Sequence, residues 1–431
     1  MAATDMEFPA NWDVNSGHLV HSNDPEKIYR EYDHLRSTCP VAHVDAHGGY
    51  WILTKAETEQ RDRYADVKAT ASDNSKFISA KCAVVPADPR GIRRPPLKFD
   101  GEQHAPYRTA VDRTLKPARL RRLEPILRSH AERELDSLIQ QGHGDIYEEF
   151  GAQFSGWVEK EWLNLDEPDS KLLSSAITPF VTAWRTQNWA LVKSSSDMFY
   201  EIARRVIASR KDQLLDPEED PASSLLIERD HDGNPLDDHN LVYVDLRSSF
   251  LIVFVLTKSS GCIRQILIVA MVAPSIIISS MTNHLSKDKE LQNRLRNDRT
   301  LVPAAIEEFI RLYVPYRGFS RTALHEVEIS GTKVPPDEPI TVVYAAANRD
   351  PDQFPRPDEF IMHRDNISTH LGFGHGRHRC AGMVLARMML RIYLETLLEK
   401  TVDFEVDGEI DYARLPEIGV TTCPMKLYPR A

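Results

Sequence analysis

The stretch of sequence that decides the fold is a glycine-rich segment near the C-terminus that ends around a cysteine. It reads Phe373-Gly374-His375-Gly376-Arg377-His378-Arg379-Cys380-Ala381-Gly382. Closely spaced glycines permit backbone conformations that other residues rarely adopt, which predicts a tight loop. Apolar residues downstream recur at helical spacing, so we expect a long helix to start near Cys380. The dipole and free N–H groups of such a helix stabilise a thiolate, which is a nucleophile or a metal ligand.

The composition of the 431 residues is that of a globular protein, with 42% hydrophobic and 27% charged side chains. The formal net charge of −11 argues against a nucleic-acid partner, because binding nucleic acid needs a basic surface. Five widely spaced cysteines form no CxxC pair, which argues against a zinc ribbon or a disulfide framework and favours a reducing compartment. The N-terminal residues lack the basic and apolar regions of a signal peptide, so we expect a cytoplasmic protein.

One segment has two structural interpretations. Residues 265–286 carry no Asp, Glu, Lys or Arg, and by length they could span a bilayer. However, glutamine, proline, serine and histidine dilute the apolar character, and no second segment matches it. A helix that is apolar all round is also typical of a protein core. We therefore predict a buried core helix and no membrane span.

The remaining patterns predict a mainly helical protein with a minor strand component. Residues 24–37 read as a first helix, and helical patterns dominate from about residue 104 to residue 215. Residues 300–314 read as a further helix, with Thr300 as its cap. Short strand-like runs between residues 319 and 345 alternate with proline and glycine, which predicts small sheets.

The cysteine segment resembles the haem-ligand loop of the cytochrome P-450 family, F-G-x-G-x-H-x-C-x-G, at every fixed position. The resemblance implies that Cys380 ligates the iron of haem b, with Phe373, His378 and Gly382 at the other motif positions. It also implies the fold of that family: a single prism-shaped domain, mainly α with small β-sheets, over residues 1–431. Residues 1–20 are expected to form an extended N-terminal segment.

Two further stretches match the family in order and spacing. Glu308 and Arg311 resemble its E-x-x-R pair, which is structural, and residues 348–351 resemble its NRDP stretch. Residues three apart on a helix share one face, so the two side chains can pair. One position departs from the family pattern: Glu359 stands where an arginine often completes the network around the E-x-x-R pair.

Four basic residues are expected at the cofactor. His104 and Arg108 match the family's H-x-x-x-R helix, Arg321 matches its R-x-A strand, and His378 lies within the cysteine motif. The resemblance implies that these side chains face the haem propionates. Carboxylates in a buried pocket need charge-assisted donors of this kind.

The larger departure lies in the apolar helix. The family carries [AG]-G-x-[DE]-T-[TS] above the iron, whereas residues 269–274 read VAMVAP. No acid is present there, the threonine position is Ala273 or Pro274, and the nearest hydroxyl belongs to Ser275. Pro274 also lacks an N–H group, which frees the carbonyl of Ala270. We take Ala273, Pro274 and Ser275 as the degenerate oxygen-activation position.

The resemblance leaves three functional hypotheses. The first is monooxygenation or oxidative coupling of a small lipophilic molecule, as in secondary metabolism. It uses O₂ and electrons from a separate ferredoxin, flavodoxin-type or reductase partner. The second is a haem-thiolate enzyme that bypasses this O₂ activation: a peroxygenase, or an isomerase, dehydratase or cyclase. The third is a non-catalytic haem sensor or scavenger.

Two basic segments carry hypotheses about partners. Residues 104–128 have an excess of Lys and Arg that is either a solvated helix face or a docking surface for an acidic electron donor, with Arg119 and Arg122 in the contact. Residues 83–97 contain Arg90, Arg93 and Arg94, which are either solvent-facing or clamp an anionic substrate.

Overall fold

The computed structural model of the protein describes residues 12–54, 65–87, 93–186, 188–236, 240–245 and 252–430. The chain divides into two compact units. The described residues of the first unit fall within 12–87, 307–379 and 412–419, and those of the second fall within 93–306, 380–411 and 420–430.

Helices make up most of the described chain. In chain order they are α1 (His18–His21), α2 (Pro25–Thr38), α3 (Ala65–Ser72), α4 (Gly101–Arg113), α5 (Pro117–Gln141), α6 (Gln153–Trp162), α7 (Glu167–Arg185), α8 (Trp189–Asp212), α9 (Pro221–Ile227), α10 (Lys258–Lys287), α11 (Lys289–Asn297), α12 (Val302–Leu312), α13 (Tyr344–Ala347) and α14 (Met383–Lys400). A π-helical segment, Ile146–Ala152, directly precedes α6.

The strands are short. They are β1 (Val41–Val44), β2 (Tyr50–Leu53), β3 (Phe77–Ile78), β4 (His143–Asp145), β5 (Asn240–Asp245), β6 (Ile252–Thr257), β7 (Phe319–Ala323), β8 (Val327–Ile329), β9 (Thr332–Val334), β10 (Pro339–Val342), β11 (Thr401–Val406), β12 (Asp411–Tyr412), β13 (Val420–Thr422) and β14 (Pro424–Pro429). The prediction of a mainly α protein with small sheets is confirmed.

The first unit is built on a five-stranded sheet in the order β1-β2-β10-β7-β3. β2 and β10 pair in parallel, and the other neighbours are antiparallel. Because side chains alternate along a strand, the two faces of this sheet contribute to two hydrophobic clusters. One cluster contains Val44 and Ile52, and the other contains Leu53, Ile340 and Val342. This sheet fixes β7, and therefore Arg321, in the interior.

Helix ends follow local capping chemistry. The side chain of Asp24 accepts a hydrogen bond from the N–H of Glu26, and Pro25 occupies the first position of α2, which confirms the first predicted helix. The cap ahead of α12 was misassigned. Asp298, and not Thr300, accepts the N–H bond, at 3.0 Å, and a short 3-10 turn leads into the helix.

The extended N-terminal segment expected over residues 1–20 ends earlier than that. α1 already begins at His18, where the carboxylate of Glu31 accepts hydrogen bonds from the N–H groups of His18 and Leu19, both at 2.7 Å. Residues 1–11 lie outside the described part of the chain.

The second unit is organised around α10. Thr257 caps this helix by accepting the N–H of Ser260, and the helix runs without interruption through Pro274 to Lys287. Among the described residues, α10 is the helix that is long and apolar enough to cross a membrane, and 72% of its most apolar window is buried inside the protein. The core-helix prediction is confirmed.

Candidate functional site

The segment before the cysteine is a tight loop because two glycines adopt backbone conformations with positive φ. Gly374 has a φ of +69° and Gly376 a φ of +73°. A Cβ atom added to Gly376 would lie 2.5 Å from the carbonyl oxygen of Ala71, in α3. A side chain at this position would therefore push the loop off α3. The loop predicted from the glycines is confirmed, and residues 376–378 form one 3-10 turn.

Cys380 lies just ahead of α14, in the second unit. The helix begins at Met383 with Gly382 as its cap, so the prediction of a helix that starts near Cys380 is confirmed, and the cysteine lies three residues before the helix. A Cβ atom on Gly382 would lie 4.0 Å from the sulfur of Cys380, an ordinary van der Waals contact, so this glycine lies directly beside the sulfur. The sulfur lies near the positive end of the helix dipole, which stabilises negative charge.

The other four cysteines are poorly suited to be thiolate ligands. Burial raises the pKa of the Cys262 thiol to about 12, and burial together with the charge of Asp145 raises the pKa of Cys423 to the same value. Cys82 is also buried. Cys39 is exposed but lies at the C-terminal end of α2, where the helix dipole disfavours an anion. The surroundings of Cys380 therefore single it out independently of the sequence motif.

Arg321 offers a buried donor in the first unit. It is 2% exposed, and its Nη1 group donates to the carbonyl of Ser320 at 3.0 Å. Its Nε–H group has no hydrogen-bond partner among the described residues. Burial raises the pKa of the neighbouring Tyr344, and the positive charge of Arg321 opposes that shift. A buried guanidinium N–H group that lacks a hydrogen-bond partner and lies beside a phenol is suited to bind an anionic group such as a haem propionate.

The other predicted propionate partners are divided between the units. His104 is buried on α4, and Arg108 lies one turn later on the same helix face. The Nε of Arg108 lies 2.7 and 2.8 Å from the two carboxylate oxygens of Asp112, so this guanidinium already holds an acid of its own helix. His378 lies partly exposed in the 3-10 turn of the first unit.

Glu308 and Arg311 form the ion pair that the sequence predicted. Both side chains are fully buried, and two parallel hydrogen bonds of 2.8 Å join the guanidinium to the carboxylate. Burial opposes ionisation of Glu308, but hydrogen bonds from Arg311 and Arg364 outweigh it and hold the pKa of Glu308 below its ordinary value. Charged donors satisfy this buried charge, which keeps it from destabilising the fold.

Arg364 completes the network, and the sequence did not reveal it. Its Nε donates to Glu308 at 2.8 Å, and its Nη2 donates to the backbone carbonyl of Glu359 at 3.0 Å. The side chain of Glu359 instead pairs with exposed Arg356. An acid is therefore tolerated at position 359, since the network uses the backbone of that residue and takes its second arginine from five residues further on.

The degenerate segment of α10 has one partly exposed face. Val269, Ala270 and Ala273 are partly exposed, whereas Val272 and Pro274 are buried. This exposure pattern favours Ala273 over Pro274 as the residue in the threonine position. The open face is small and apolar and carries neither an acid nor a hydroxyl.

Ser275 lies on the opposite, buried face of α10. Its hydroxyl donates to the carbonyl of Met271 at 2.7 Å. A Cβ atom on Gly151, in the π-helical segment, would lie 3.2 Å from the Cβ of Ser275. The serine therefore packs against a neighbouring backbone and does not share the open face of Ala273.

Comparison with curated proteins gives relatives over most of the chain. Pulcherriminic acid synthase of Bacillus subtilis (strain 168) is 26% identical over 401 residues, which cover 89% of this chain and 91% of the relative. Cytochrome P450-terp of a Pseudomonas species is 27% identical over 416 residues, which cover 89% of this chain and 90% of the relative.

Solved structures and a family model agree with these relatives. A cytochrome P450 from Chondromyces apiculatus superposes with a TM-score of 0.77 and 24% identity, covering 96% of this chain and 97% of that one, which shows the fold. The cytochrome P450 family model matches residues 169–411, more than half of the sequence. The chain therefore belongs to the cytochrome P450 family.

Proposed function

We propose that this chain is a haem-thiolate monooxygenase in which Cys380 is the iron ligand and a small lipophilic molecule is the substrate. The observation that carries the proposal is the environment of Cys380: a tight loop that requires glycine at position 376, and a helix N-terminus three residues after the cysteine. Thiolate-ligated haem b, when bound, supplies the oxidative chemistry. We also propose that residues 1–431 form one P450 domain, supported by the 96% structural coverage. We further propose a cytoplasmic location, supported by the wide spacing of the five cysteines in the sequence.

The residues of the chain divide into three roles under this proposal. Arg321, with its unsatisfied buried N–H group, would hold a haem propionate in the first unit, which also contains His378. His104 and Arg108, in the second unit, stay predicted propionate partners. Phe373 and Gly382 occupy the motif positions on either side of Cys380. The Glu308–Arg311–Arg364 network fixes the segment of the first unit that precedes the cysteine loop.

The open face of α10 leaves room for an apolar substrate but cannot move a proton by itself. Ala270 and Ala273 have no ionisable group, and Ser275 donates into its own helix on the buried side. Pro274 has no N–H group to give to the carbonyl of Ala270, so this carbonyl can hold a water molecule. Protons must come through such a water molecule or from a hydroxyl or carboxyl group of the substrate.

The lack of a proton donor on the open face of α10 also favours a second candidate function. This is a peroxygenase, or an isomerase, dehydratase or cyclase, that never needs those protons. Three parallel assays separate the candidates: turnover with NAD(P)H and surrogate redox proteins, turnover with hydrogen peroxide, and turnover with neither. We expect product in the first assay. Product in the third assay alone would replace the monooxygenase assignment with the isomerase or dehydratase branch.

We expect Ala273→Thr to raise the fraction of consumed NAD(P)H that appears as product. The hydroxyl would lie on the open face and supply a proton donor, a contribution that typically amounts to about 10²–10⁴-fold in rate. Ala273→Val is the matched control, because it adds the same volume without a hydroxyl. Equal coupling in the two variants would show that proton delivery at position 273 does not limit the reaction.

The electron donor is proposed to dock on the exposed basic side of α5, but not where the sequence placed it. Arg119 is 2% exposed and donates to the backbone carbonyls of Thr114 and Trp162, so it is a structural residue. Burial lowers the pKa of Arg119 to about 10. Within residues 104–128 the exposed basic residues are Lys116, Arg121 and Arg122, and we call these three the α5 basic surface. Lys116 and Arg122 pair with Glu218 and Glu219 at the surface, and acids of the donor would compete for them.

Charge reversal on the α5 basic surface should slow reduction by a ferredoxin or flavodoxin-type protein. The Arg121→Glu, Arg122→Glu double variant is expected to reduce the rate of first electron transfer roughly tenfold at low salt, since steering between opposite charges is lost. Substrate affinity should not change. The Arg204→Glu, Lys211→Glu double variant, on the exposed side of α8, changes the net charge by the same amount and is the control. An α5 double variant that is reduced as fast as this control would exclude the α5 basic surface.

A further inference from the structure

The structure separates the three arginines that were expected either to face solvent or to clamp an anionic substrate. Arg93 is exposed, whereas Arg94 is buried and its Nε donates to the phenol oxygen of Tyr200 at 2.6 Å. Arg90 lies outside the described residues. The substrate clamp therefore stays a prediction.

Helix α6 buries a glutamate whose carboxyl group has no partner. Glu159 is 0% exposed, and neither of its carboxyl oxygens has a hydrogen-bond partner among the described residues. About one helical turn earlier, Ser155 is also 0% exposed, and its hydroxyl likewise has no partner in the described part of the chain. Side chains four residues apart lie on the same helix face, so three unsatisfied oxygen atoms share one side of α6.

This side of α6 is the one that faces α10. The π-helical segment leads directly into α6, and Gly151 in that segment precedes Ser155 by four residues and Glu159 by eight. A Cβ atom on Gly151 would lie 3.1 Å from the Cα atom of Ser275, so the two backbones are in contact there. α6 itself packs against α5, α7 and α10. The unsatisfied oxygens therefore lie in the helical interior of the second unit.

The surroundings of Glu159 offer no compensating charge. The buried ionisable side chains on the elements that pack against α6 are Arg119 and His130 on α5, Tyr147 of the π-helical segment, Asp169 on α7, and Cys262 and Arg264 on α10. Arg119 donates to a backbone carbonyl, and His130 pairs with Glu161. No described residue forms a hydrogen bond or an ion pair with Glu159. Burial is the cause that raises the pKa of Glu159 well above its ordinary value of 4.5.

An ionised carboxylate without a partner in such an interior costs far more free energy than a carboxyl group that keeps its proton. A protonated carboxyl group both donates and accepts hydrogen bonds, and internal water commonly satisfies buried polar groups of this kind. We propose that Glu159 is protonated at neutral pH and that, together with Ser155, it binds an internal water molecule on the α10 side of α6. The site makes the packing of the second unit sensitive to alkaline pH, because loss of the proton leaves an uncompensated charge among the helices.

Infrared difference spectroscopy on the haem-loaded protein tests the protonation state, since the carbonyl stretch of a protonated carboxyl group is separate from the carboxylate bands. At neutral pH we expect the wild-type protein to show a protonated-carboxyl band that Glu159→Gln lacks. Glu132→Gln, which removes an exposed carboxyl group on neighbouring α5, is the matched control and should keep this band. A band of equal intensity in the wild-type protein and in Glu159→Gln would overturn the proposal.

Isotope labelling tests the same point without any substitution. In the wild-type protein grown with glutamate labelled at the side-chain carboxyl carbon, the protonated-carboxyl band should shift to lower frequency. A spectrum in which no protonated-carboxyl intensity shifts would show that no glutamate holds its proton, and it would overturn the proposal.

Ser155→Ala tests the shared water molecule. A carbonyl group that accepts a hydrogen bond absorbs at lower frequency than one that does not, so removal of the hydroxyl that helps to hold the water should shift the Glu159 band to higher frequency. Ser175→Ala, which removes an exposed hydroxyl on α7, is the control and should leave the band in place. An unshifted band in Ser155→Ala would overturn the shared site.

The pH dependence of folding gives a second readout. Because the pKa of Glu159 is raised in the folded protein, the folded state keeps a proton that the unfolded chain releases above pH 4.5. Stability therefore falls as the pH rises from that value to the folded pKa. Over this range the folding equilibrium constant of the wild-type protein, divided by that of Glu159→Gln, should fall by about tenfold per pH unit. The same ratio taken against Glu132→Gln should not change. A ratio to Glu159→Gln that stays constant from pH 4.5 to neutral pH would overturn the proposal.

Discussion

Replacing Cys380 with alanine is expected to abolish the red-shifted Soret band of the reduced carbon monoxide complex and to reduce turnover to background. In the proposed function the thiolate of Cys380 would donate electron density to the iron, and no other cysteine has both access and a nearby helix N-terminus. Cys380→His should separate the loss of the thiolate ligand from the loss of haem. An imidazole can retain haem, so this variant is expected to bind haem and still lack the thiolate band.

Matched controls come from the remaining cysteines. Cys39→Ala changes an exposed thiol at the end of α2, and Cys262→Ala changes a buried thiol within α10. Both variants should keep the band, although the second loses some packing. If the band persisted in Cys380→Ala, or disappeared in Cys39→Ala while haem remained bound, the ligand assignment would be wrong.

Local features of the site could be predicted from the sequence because their causes are local. Gly374 and Gly376 are needed for the backbone conformations of a few consecutive residues, and the pairing of Glu308 with Arg311 follows from helix spacing alone. The buried helix was recognised from its lack of charge. It begins seven residues before Gln265, since Thr257 provides the cap and the helix tolerates the buried Arg264.

Features that depend on distant segments could not be predicted. Arg364 meets Glu308 from 56 residues away, and nothing in its own neighbourhood marks it as buried. Arg119 belongs to a basic helix, yet its environment is set by the carbonyl of Trp162 on another helix. The orientation of Ser275 depends on its packing against Gly151. In each case the residue type is visible in the sequence, and the partner that decides its role is not.

Removing one member of the Glu308 network should destabilise the protein by about 3–5 kcal/mol, because a buried charge is then left without compensation. Glu308→Gln leaves Arg311 and Arg364 both charged, and Arg364→Met leaves their shared carboxylate with one arginine. We expect both variants to lose free energy of unfolding and bound haem. Chemical denaturation and the ratio of haem absorbance to protein absorbance measure the two effects.

The exposed pair of Arg356 and Glu359 supplies the control, since it lies in the same segment and joins the same residue types. Arg356→Met should cost no more than about 1 kcal/mol, the usual contribution of a surface ion pair. A cost for Arg364→Met as small as that for Arg356→Met would show that Arg364 is not part of the network.

The pH dependence of the free energy of unfolding provides an independent check on the role of Glu308. Its pKa in the folded protein lies below the ordinary carboxyl value of 4.5, despite the opposing effect of burial, because Arg311 and Arg364 donate to the ionised form. A lowered folded-state pKa contributes stability that is present above the ordinary value and is lost as the pH falls through the folded value. The difference in free energy of unfolding between the wild-type protein and Glu308→Gln should therefore be largest near neutral pH and shrink on acidification below pH 4.5. A difference that stayed constant from neutral to acidic pH would mean that Glu308 stabilises the segment by shape and neutral hydrogen bonds, and that its ionisation contributes nothing.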